Sequence, residues 1–403
     1  MKYVVIIGDG MADRPLKELD GKTPLEVAFT PNMDKLAKEG IIGKVKTIPD
    51  GFPYGSDVAN LSILGYDPRK YYSGRAPLEA VSMGVRLDNN DVAFRCNLVT
   101  LRYNKTATKA IMEDYSAGHI SSEEAAELIH TLNEKLGNDS IRFYPGVSYR
   151  HLMVFKDGPE KIECVPPHDI IGREITGYLP HGQGEELIKE LMERSVEVLK
   201  DHPVNRKRLA QGKKPANSIW LWGQGKRPSM PGYQEKYGIS GALVSAVDLT
   251  KGLGIYAGFE ILKVPGVTGW IDTNYIGKAE ASIKALERHD FVYIHVEAPD
   301  EAGHSGDYKT KIKAIEDFDA LVVGTVLRAL ASFDEFKILL MPDHPTPVEV
   351  RTHTNDWVPF AIYDSRKTYR NSVDGYSEKL LEHSQIIEFA DGHKLMDFFL
   401  EKQ

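Results

Sequence analysis

Short apolar runs alternate with amphipathic stretches along most of the chain. "YVVII" near the start predicts a buried strand over Lys2 to Ile7, running into a loop that carries Asp9. "TPNMDKLAKEG" is punctuated as a helix, with Thr30 as its cap, Pro31 in the first turn and Gly40 at its end. "IIGKVKTI" predicts another strand. In "SDVANLSILGY", Val58, Leu61 and Leu64 recur at helical spacing, so a helix opens at Ser56. Strand, helix, strand, helix is the signature of an α/β sheet.

The middle of the chain breaks this rhythm. "NDVAFRCNLVTLRY" and "VSYRHLMVF" predict strands, and "SSEEAAELIHTLNEKLG" predicts a helix whose capping signal starts at Ser121 or Ser122. A loop-rich "PPHDIIGREITGYLP" precedes a second long helix at about Glu185 to Leu199. These elements fit an α+β unit on one antiparallel sheet, and "NRKRLAQGKKPAN" reads as its exit linker. The α/β pattern then returns. "GALVSAVDLTKGLGIYAGF" predicts strand, Gly-rich turn and helix, and "ASIKALERHDFVYIHVEAPD" predicts helix then strand. "YKTKIKAIEDFDALVVGTVLRALASF" predicts one long amphipathic helix, and "EFKILLMPDHPTP" holds the most apolar strand. The expected architecture is an α/β core in two parts, residues 1–85 and 216–403, interrupted by an inserted α+β cap at 86–215.

Composition adds exclusions. The 403 residues carry a net charge of −8, which argues against nucleic-acid or anionic-membrane binding, since both want a basic face. No stretch approaches the ~18 apolar residues of a membrane span, and the apolar start lacks a cleavage site, so a cytoplasmic protein is expected. Cys96 and Cys164 cannot build a disulfide framework and read as small buried hydrophobes. Gly252, Gly254 and Gly258 resemble a dinucleotide fingerprint, but the last spacing is one residue too long and no ribose-binding acid follows.

Three strand exits carry the chemistry. Asp9 follows the first strand, Asp300 and His304 lie four apart in "VEAPDEAGH", and "LLMPDHPTP" places Asp343 beside His344, with His353 following in "RTHTND". In open α/β sheets, loops beyond the carboxyl ends of strands form the ligand crevice, so residues distant in sequence can meet there. Three Asp and three His suit Mn²⁺, Zn²⁺ or Co²⁺, and six donors suit two ions sharing an anion. Ser56 has two readings. It caps its helix, or it is a nucleophile whose alkoxide is stabilised by a metal while the helix N-terminus favours an arriving phosphate.

"VVIIGDGMADRP", "GKTPLEVAFTPNMDKLAKEG", "GSDVANLSILGYDP", "VEAPDEAGH" and "PDHPTPVEVRTHT" resemble the cofactor-independent phosphoglycerate mutases of archaeal type, within the alkaline phosphatase superfamily. The resemblance implies an alkaline-phosphatase-like core with a largely parallel sheet flanked by helices. It implies two divalent ions (Mn²⁺, Zn²⁺, Co²⁺ or Mg²⁺), one held by Asp9, Ser56, Asp343 and His344, the other by Asp300, His304 and His353. Ser56 would accept a phosphoryl group from 3-phosphoglycerate and return it to the 2-hydroxyl, with no 2,3-bisphosphoglycerate and no nucleotide. The expected partner is a small phosphorylated substrate, and a homo-oligomer is compatible with this reading. The cap would exclude water, with Arg150 and His151 as the leading substrate contacts, and Arg75, Lys236 and Asn60 behind them. The loop "DGFPYGSDVAN" departs from the archaeal "GxRPGSDTAH" pattern toward a bacterial branch proposed to include homoserine kinases. The alternative is therefore a phosphotransferase or phosphatase acting on a small alcohol such as homoserine. No G-x-x-x-x-G-K-[ST] nucleotide loop is present, which counts against ATP use.

Overall fold

The computed structural model describes residues 1–104, 106, 109–367, 369–384 and 386–401. The chain forms two compact units, one from Met1–Tyr72 with Ser229–Gln403 and the other from Ser73–Pro228. No helix among the described residues is long and apolar enough to cross a membrane.

The first unit is built on an eight-stranded sheet. Its spatial order is Glu260–Ile261, Gly241–Val244, Phe291–Val296, Lys2–Gly8, Phe336–Met341, Val358–Asp364, Ile41–Val45 and Ile387–Phe389. Val358–Asp364 runs antiparallel to both neighbours, and the other pairs are parallel. The central strands are continuous apolar runs because both of their faces are buried. Val4 and Ile6 enter a cluster with Met33, Leu36, Ala279, Phe318 and Val326, while Val5 and Ile7 are equally buried on the other side. Register then decides what shares an edge. Ile7 lies level with both His295 and Met341, so the segments leaving at Asp9, Glu297 and Pro342 emerge together.

Several local expectations need correction. Thr30 sits at the start of the Pro31–Glu39 helix but does not cap it. Asp319 does, accepting from the amides of Met33 at 2.7 Å and Asn32 at 3.3 Å, so a distant carboxylate serves the exposed helix donors. The long helix after Asp307 is interrupted by a π-helical stretch, Phe318–Val323, which contains Asp319. The Gly-rich stretch after Val244 lies inside the Asp248–Tyr256 helix rather than in a turn. A Cβ on Gly254 would lie 3.0–3.1 Å from Ile261 and Leu243, so glycine lets this helix pack close to its strands.

The second unit holds a five-stranded antiparallel sheet. Val92–Tyr103 pairs with Ala110–Asp114, Arg150–Phe155 and Ser218–Lys226, and Ile141–Val147 extends the edge beyond Arg150–Phe155. Leu128 and Leu132 of the Ser122–Leu136 helix, with Ile188 and Met192 of Glu185–Leu199, pack with Phe94, Leu98 and Trp220. A smaller cluster joins Ala76 and Ala80 of the Ala76–Ser82 helix to Ala93, Leu152 and Val154. This unit, Ser73–Pro228, is therefore wider than the 86–215 expected from the pattern of strands and helices. The short Ala76–Ser82 helix and the Ser218–Lys226 strand both belong to its packing. Cys96 is buried and Cys164 half-buried within it, and burial pushes both thiols up.

The basic "NRKRLAQGKKPAN" is not a linker. Most of its first half is the Pro203–Ala210 helix, and Arg208 is only 2% exposed. Its guanidinium donates to Glu124, to the Ala117 carbonyl at 2.6 Å and to the Lys214 carbonyl at 2.9 Å. The linker reading fails because one cation of the run is consumed as an internal cross-link. Arg208→Met leaves Glu124 and two carbonyls without this donor and is expected to cost about 3 kcal/mol. A urea midpoint unchanged from the parent would contradict that cost.

Candidate metal centre

Parallel register brings three ligand-bearing loops to the carboxyl edge of the first unit's sheet. Asp9 follows Lys2–Gly8, Asp300 lies in the Ala298–Ser305 helix just past Phe291–Val296, and Asp343 and His344 follow Phe336–Met341. Gly10 has φ +58°, and a Cβ there would collide with Asp300 Oδ1 and Thr346 Oγ1, so the tight turn needs glycine. Asp343 Oδ1 accepts from the amides of Gly10 at 3.0 Å and His344 at 2.9 Å, which locks the first loop to the third.

The structure brings Asp9, Ser56, Asp300, His304, Asp343, His344 and His353 together. Three groups have donor atoms mutually within 4.8 Å: Asp300, His304 and His353; Asp9, Asp300 and His344; and Asp9, His295 and Asp343. Ser56 is not the cap of its helix. Gly55 holds that position, and Ser56 Oγ lies 3.1 Å from His344 Nε2. Thr346 donates its hydroxyl proton to Asp300, so His344 Nδ1, at 3.3 Å, is the donor to Thr346. His344 Nε2 is then a bare acceptor facing the serine hydroxyl. Burial holds this imidazole down at about 4, so it is neutral at ordinary pH.

The second group shows the same tautomer logic. His304 Nδ1 lies 3.0 Å from the Arg351 carbonyl, and His353 Nδ1 lies 3.2 Å from the Tyr54 carbonyl. Both Nδ1 atoms donate to carbonyls, which turns the two Nε2 atoms toward each other at 2.9 Å. Asp300 oxygens lie 3.2 and 3.5 Å from them. Two imidazole nitrogens this close beside a carboxylate are held by a shared proton or by a metal ion in its place, and the donor set is that of a divalent metal. The other side of the cluster repeats the point. Among the described residues, Asp9 Oδ1 and His295 Nε2 are buried with no hydrogen-bond partner. The residues present thus fit divalent ions.

Charge is concentrated here. Burial, then the charges of Asp343, Asp300 and Glu297, push Asp9 well above the usual carboxylate range. For Asp343 burial works in the same direction, but His344, His295 and the Gly10 amide outweigh it and hold the carboxyl at about 2. For His304 burial works against the charge, yet Asp300 and the Arg351 carbonyl raise it to about 9.

The weaker candidates divide. Asn60 donates to Asp343 Oδ2 at 2.7 Å and to the Ser56 carbonyl at 2.8 Å, and its own carbonyl accepts from Tyr293. With both amide protons committed, it orients Asp343 rather than reaching for substrate. Lys236 donates to Tyr237 and pairs with Asp397 at 3.5 Å, and neither partner touches the cluster. In the second unit, His151 is 2% exposed. Its Nδ1 accepts from the Gly146 amide at 2.9 Å, and burial pushes it down to about 3, so it is an interior residue and not an anion contact. Arg150 is exposed, with its guanidinium 5.5 Å from the Tyr149 ring. Arg75 begins the Ala76–Ser82 helix. Arg95, unnoticed in the sequence, lies 4.2 Å over the Trp222 ring and 3.0 Å from Glu79. Burial lowers its pKa first, and the charges of Arg75 and Arg150 lower it further, so these three cations share one neighbourhood of that unit.

Sequence reasoning also missed His295, Glu297 and Lys278. The available signal was "HVE" inside a predicted strand, since i and i+2 share a face.

Residues 37–205 match the family model described as 2,3-bisphosphoglycerate-independent phosphoglycerate mutase. A Methanosarcina barkeri protein of that name is 55% identical over 381 residues, covering 94% of each chain. A Geobacter sulfurreducens protein named as a probable member is 53% identical over 402 residues, covering 100% of each.

The chain belongs to this family.

Among solved structures, a Pyrococcus horikoshii protein aligns over 100% of this chain and 98% of its own, with a TM-score of 0.83 and 32% identity. The cofactor-independent phosphoglycerate mutase of Thermoplasma acidophilum aligns over 100% and 99%, with a TM-score of 0.67 and 29% identity. Full-length coverage means that both units belong to the shared fold, including the inserted one.

Asn60→Ala removes the donor that fixes Asp343 while adding no charge. Mn²⁺ affinity, measured by calorimetry, is expected to fall about 10–100-fold, as for other residues that orient a ligand. Unchanged affinity would remove Asn60 from the site.

Proposed function

We propose that this protein interconverts 3-phosphoglycerate and 2-phosphoglycerate through a phosphoryl group carried on Ser56. The observation that carries the reading is the placement of the Ser56 hydroxyl 3.1 Å from a neutral, acceptor-only His344 Nε2, inside a buried group of carboxylates and imidazoles suited to two divalent ions. The names of the full-length relatives supply the substrate.

Asp9, Asp343 and His344, with Ser56 itself, would hold one ion, and Asp300, His304 and His353 the other. When bound, such ions lower the pKa of a coordinated hydroxyl and neutralise charge on a transferring phosphoryl group. Ser56 begins the Ser56–Ile63 helix, so its Oγ lies where helix amides and the dipole favour a phosphate. Ser56 Oγ attacks phosphorus in line, its proton leaves, and the bond from phosphorus to the 3-oxygen breaks. The glycerate oxygen takes up a proton. The 2-hydroxyl then loses its proton and attacks phosphoserine, the bond from phosphorus to Ser56 Oγ breaks, and Oγ takes up a proton to restore the serine. Glycerate must stay bound and water must stay out between the two transfers, which is the role we assign to the inserted unit. Arg75, Arg95 and Arg150 are its candidates for gripping carboxylate and phosphate oxygens.

A phosphatase or a kinase for a small alcohol such as homoserine would share the nucleophile. Product analysis separates the three. The expected result is 3-phosphoglycerate turnover without added 2,3-bisphosphoglycerate and with little free phosphate. Predominant phosphate release, or ATP-dependent phosphorylation of homoserine, would contradict the mutase reading. Ser56→Ala is expected to lower turnover by at least about 10³-fold, since the variant lacks the hydroxyl proposed to carry the phosphoryl group. Mutase activity surviving in that variant would overturn the nucleophile. Chelation is expected to abolish activity and Mn²⁺ or Co²⁺ to restore it, whereas indifference to chelators would exclude the metal assignment.

A further inference from the structure

We propose that His295 is a metal ligand, joining Asp9, Asp343 and His344 around one ion. The proposal rests on the two-ion reading above but not on the identity of the substrate. His295 belongs to the Phe291–Val296 strand, directly opposite Ile7, and is fully buried.

Its two nitrogens have different surroundings. Nδ1 lies 3.2 Å from Glu297 Oε1 and 3.4 Å from Ser245 Oγ. Glu297 is firmly anchored: its Oε1 accepts from the Ala246 amide at 2.6 Å and the Ser245 hydroxyl at 2.7 Å, and its Oε2 from Lys278 at 2.5 Å. A carboxylate oxygen held immobile beside Nδ1 is an acceptor and fixes the imidazole proton there.

Among the described residues Nε2 has no hydrogen-bond partner, and it lies beside the carboxylates. It lies 3.4 Å from Asp9 Oδ2 and 3.8 Å from Asp343 Oδ2. Both separations exceed the roughly 2.7–3.2 Å of an N–H···O bond. They are close to the spacing of two donors on one ion, since neighbouring ligands about 2.1 Å from a four- or five-coordinate metal lie roughly 3.0–3.6 Å apart. His344 Nε2 keeps the same spacing, 3.4 Å from Asp9 Oδ1 and 3.6 Å from Asp343 Oδ2. One oxygen of Asp343 thus faces both imidazoles, and Asp9 turns one oxygen to each. A single ion lying among them satisfies both orphaned atoms, Asp9 Oδ1 and His295 Nε2. The carboxylate–imidazole–metal order, with Lys278 behind the carboxylate, is the arrangement that orients a ligating histidine and raises its basicity. Mixed imidazole and carboxylate donors suit Mn²⁺, Co²⁺ or Zn²⁺.

The test uses the full chain and metal alone. With ¹⁵N-histidine label and two equivalents of Zn²⁺, four imidazole Nε2 resonances are expected to move to metal-bound positions, those of His295, His304, His344 and His353. Three shifted resonances, with His295 carrying protons on both nitrogens, would overturn the proposal in favour of an imidazolium hydrogen-bonded to the carboxylates. In parallel, His295→Ala is expected to weaken one of two Co²⁺ sites by at least about 100-fold and to alter its visible spectrum, leaving the other site unchanged. Two sites of parental affinity and unaltered spectrum would equally refute it. Neither readout involves substrate. A wild-type protein with four bound imidazoles and no mutase activity would therefore sink the functional reading and leave this one standing.

Discussion

Four carboxylates, Asp9, Glu297, Asp300 and Asp343, are buried at one edge of the sheet, and their mutual repulsion is the constraint around which the rest is arranged. Such a group cannot stay ionised in a dry interior unless it is matched by positive charge. Lys278, itself fully buried, neutralises Glu297, and the amides of Gly10, His344, Ala246 and Val247 serve individual oxygens. What remains after these bonds is a set of oxygens and bare imidazole nitrogens spaced for shared cations. The parallel sheet earns its place by making this crowding unavoidable. With Ile7 level with His295 and Met341, three loops have to leave side by side.

A second buried cation serves the same edge. Lys311 donates to Asp13 at 2.7 Å and to the Ala12 and Thr346 carbonyls at 3.2 and 2.9 Å. Asp13 also accepts from the Val348 amide at 3.2 Å. The loop after Asp9 is therefore tied to the loop after His344 at two levels: through Asp343 near the candidate ions and through Asp13 behind them. Rigidity at this point matters chemically, because an in-line transfer tolerates little displacement of nucleophile or metal.

The core of the fold was legible because it rests on local patterns. "YVVII" and "FKILLM" can only be strands buried on both faces, and the exits after them carry the predicted donors. What escaped depends on partners far away in sequence. Thr30 looks like a cap, yet Asp319 does the capping, and nothing near Thr30 announces a carboxylate 289 residues later. Arg208 looks like one charge of a linker, but a carbonyl at Ala117 and the carboxylate of Glu124 claim it. His295 lies within a strand rather than beyond it, so a search of strand exits passes over it. His151 misled in the opposite way: beside an arginine it suggested anion binding, whereas strand alternation turns it inward. Ser56 was ambiguous as cap or nucleophile, and the extended Gly55 before it, which takes the cap position, frees the hydroxyl for His344.

The central claim is that one hydroxyl and a set of ligands from both ends of the chain share a pair of cations. Anomalous diffraction from Mn²⁺-loaded crystals tests it most directly. Two peaks are expected, one within about 2.3 Å of Asp343, His344 and Ser56 Oγ, the other similarly close to Asp300, His304 and His353. Manganese found only elsewhere, or no ion within bonding reach of Ser56 Oγ, would contradict the account.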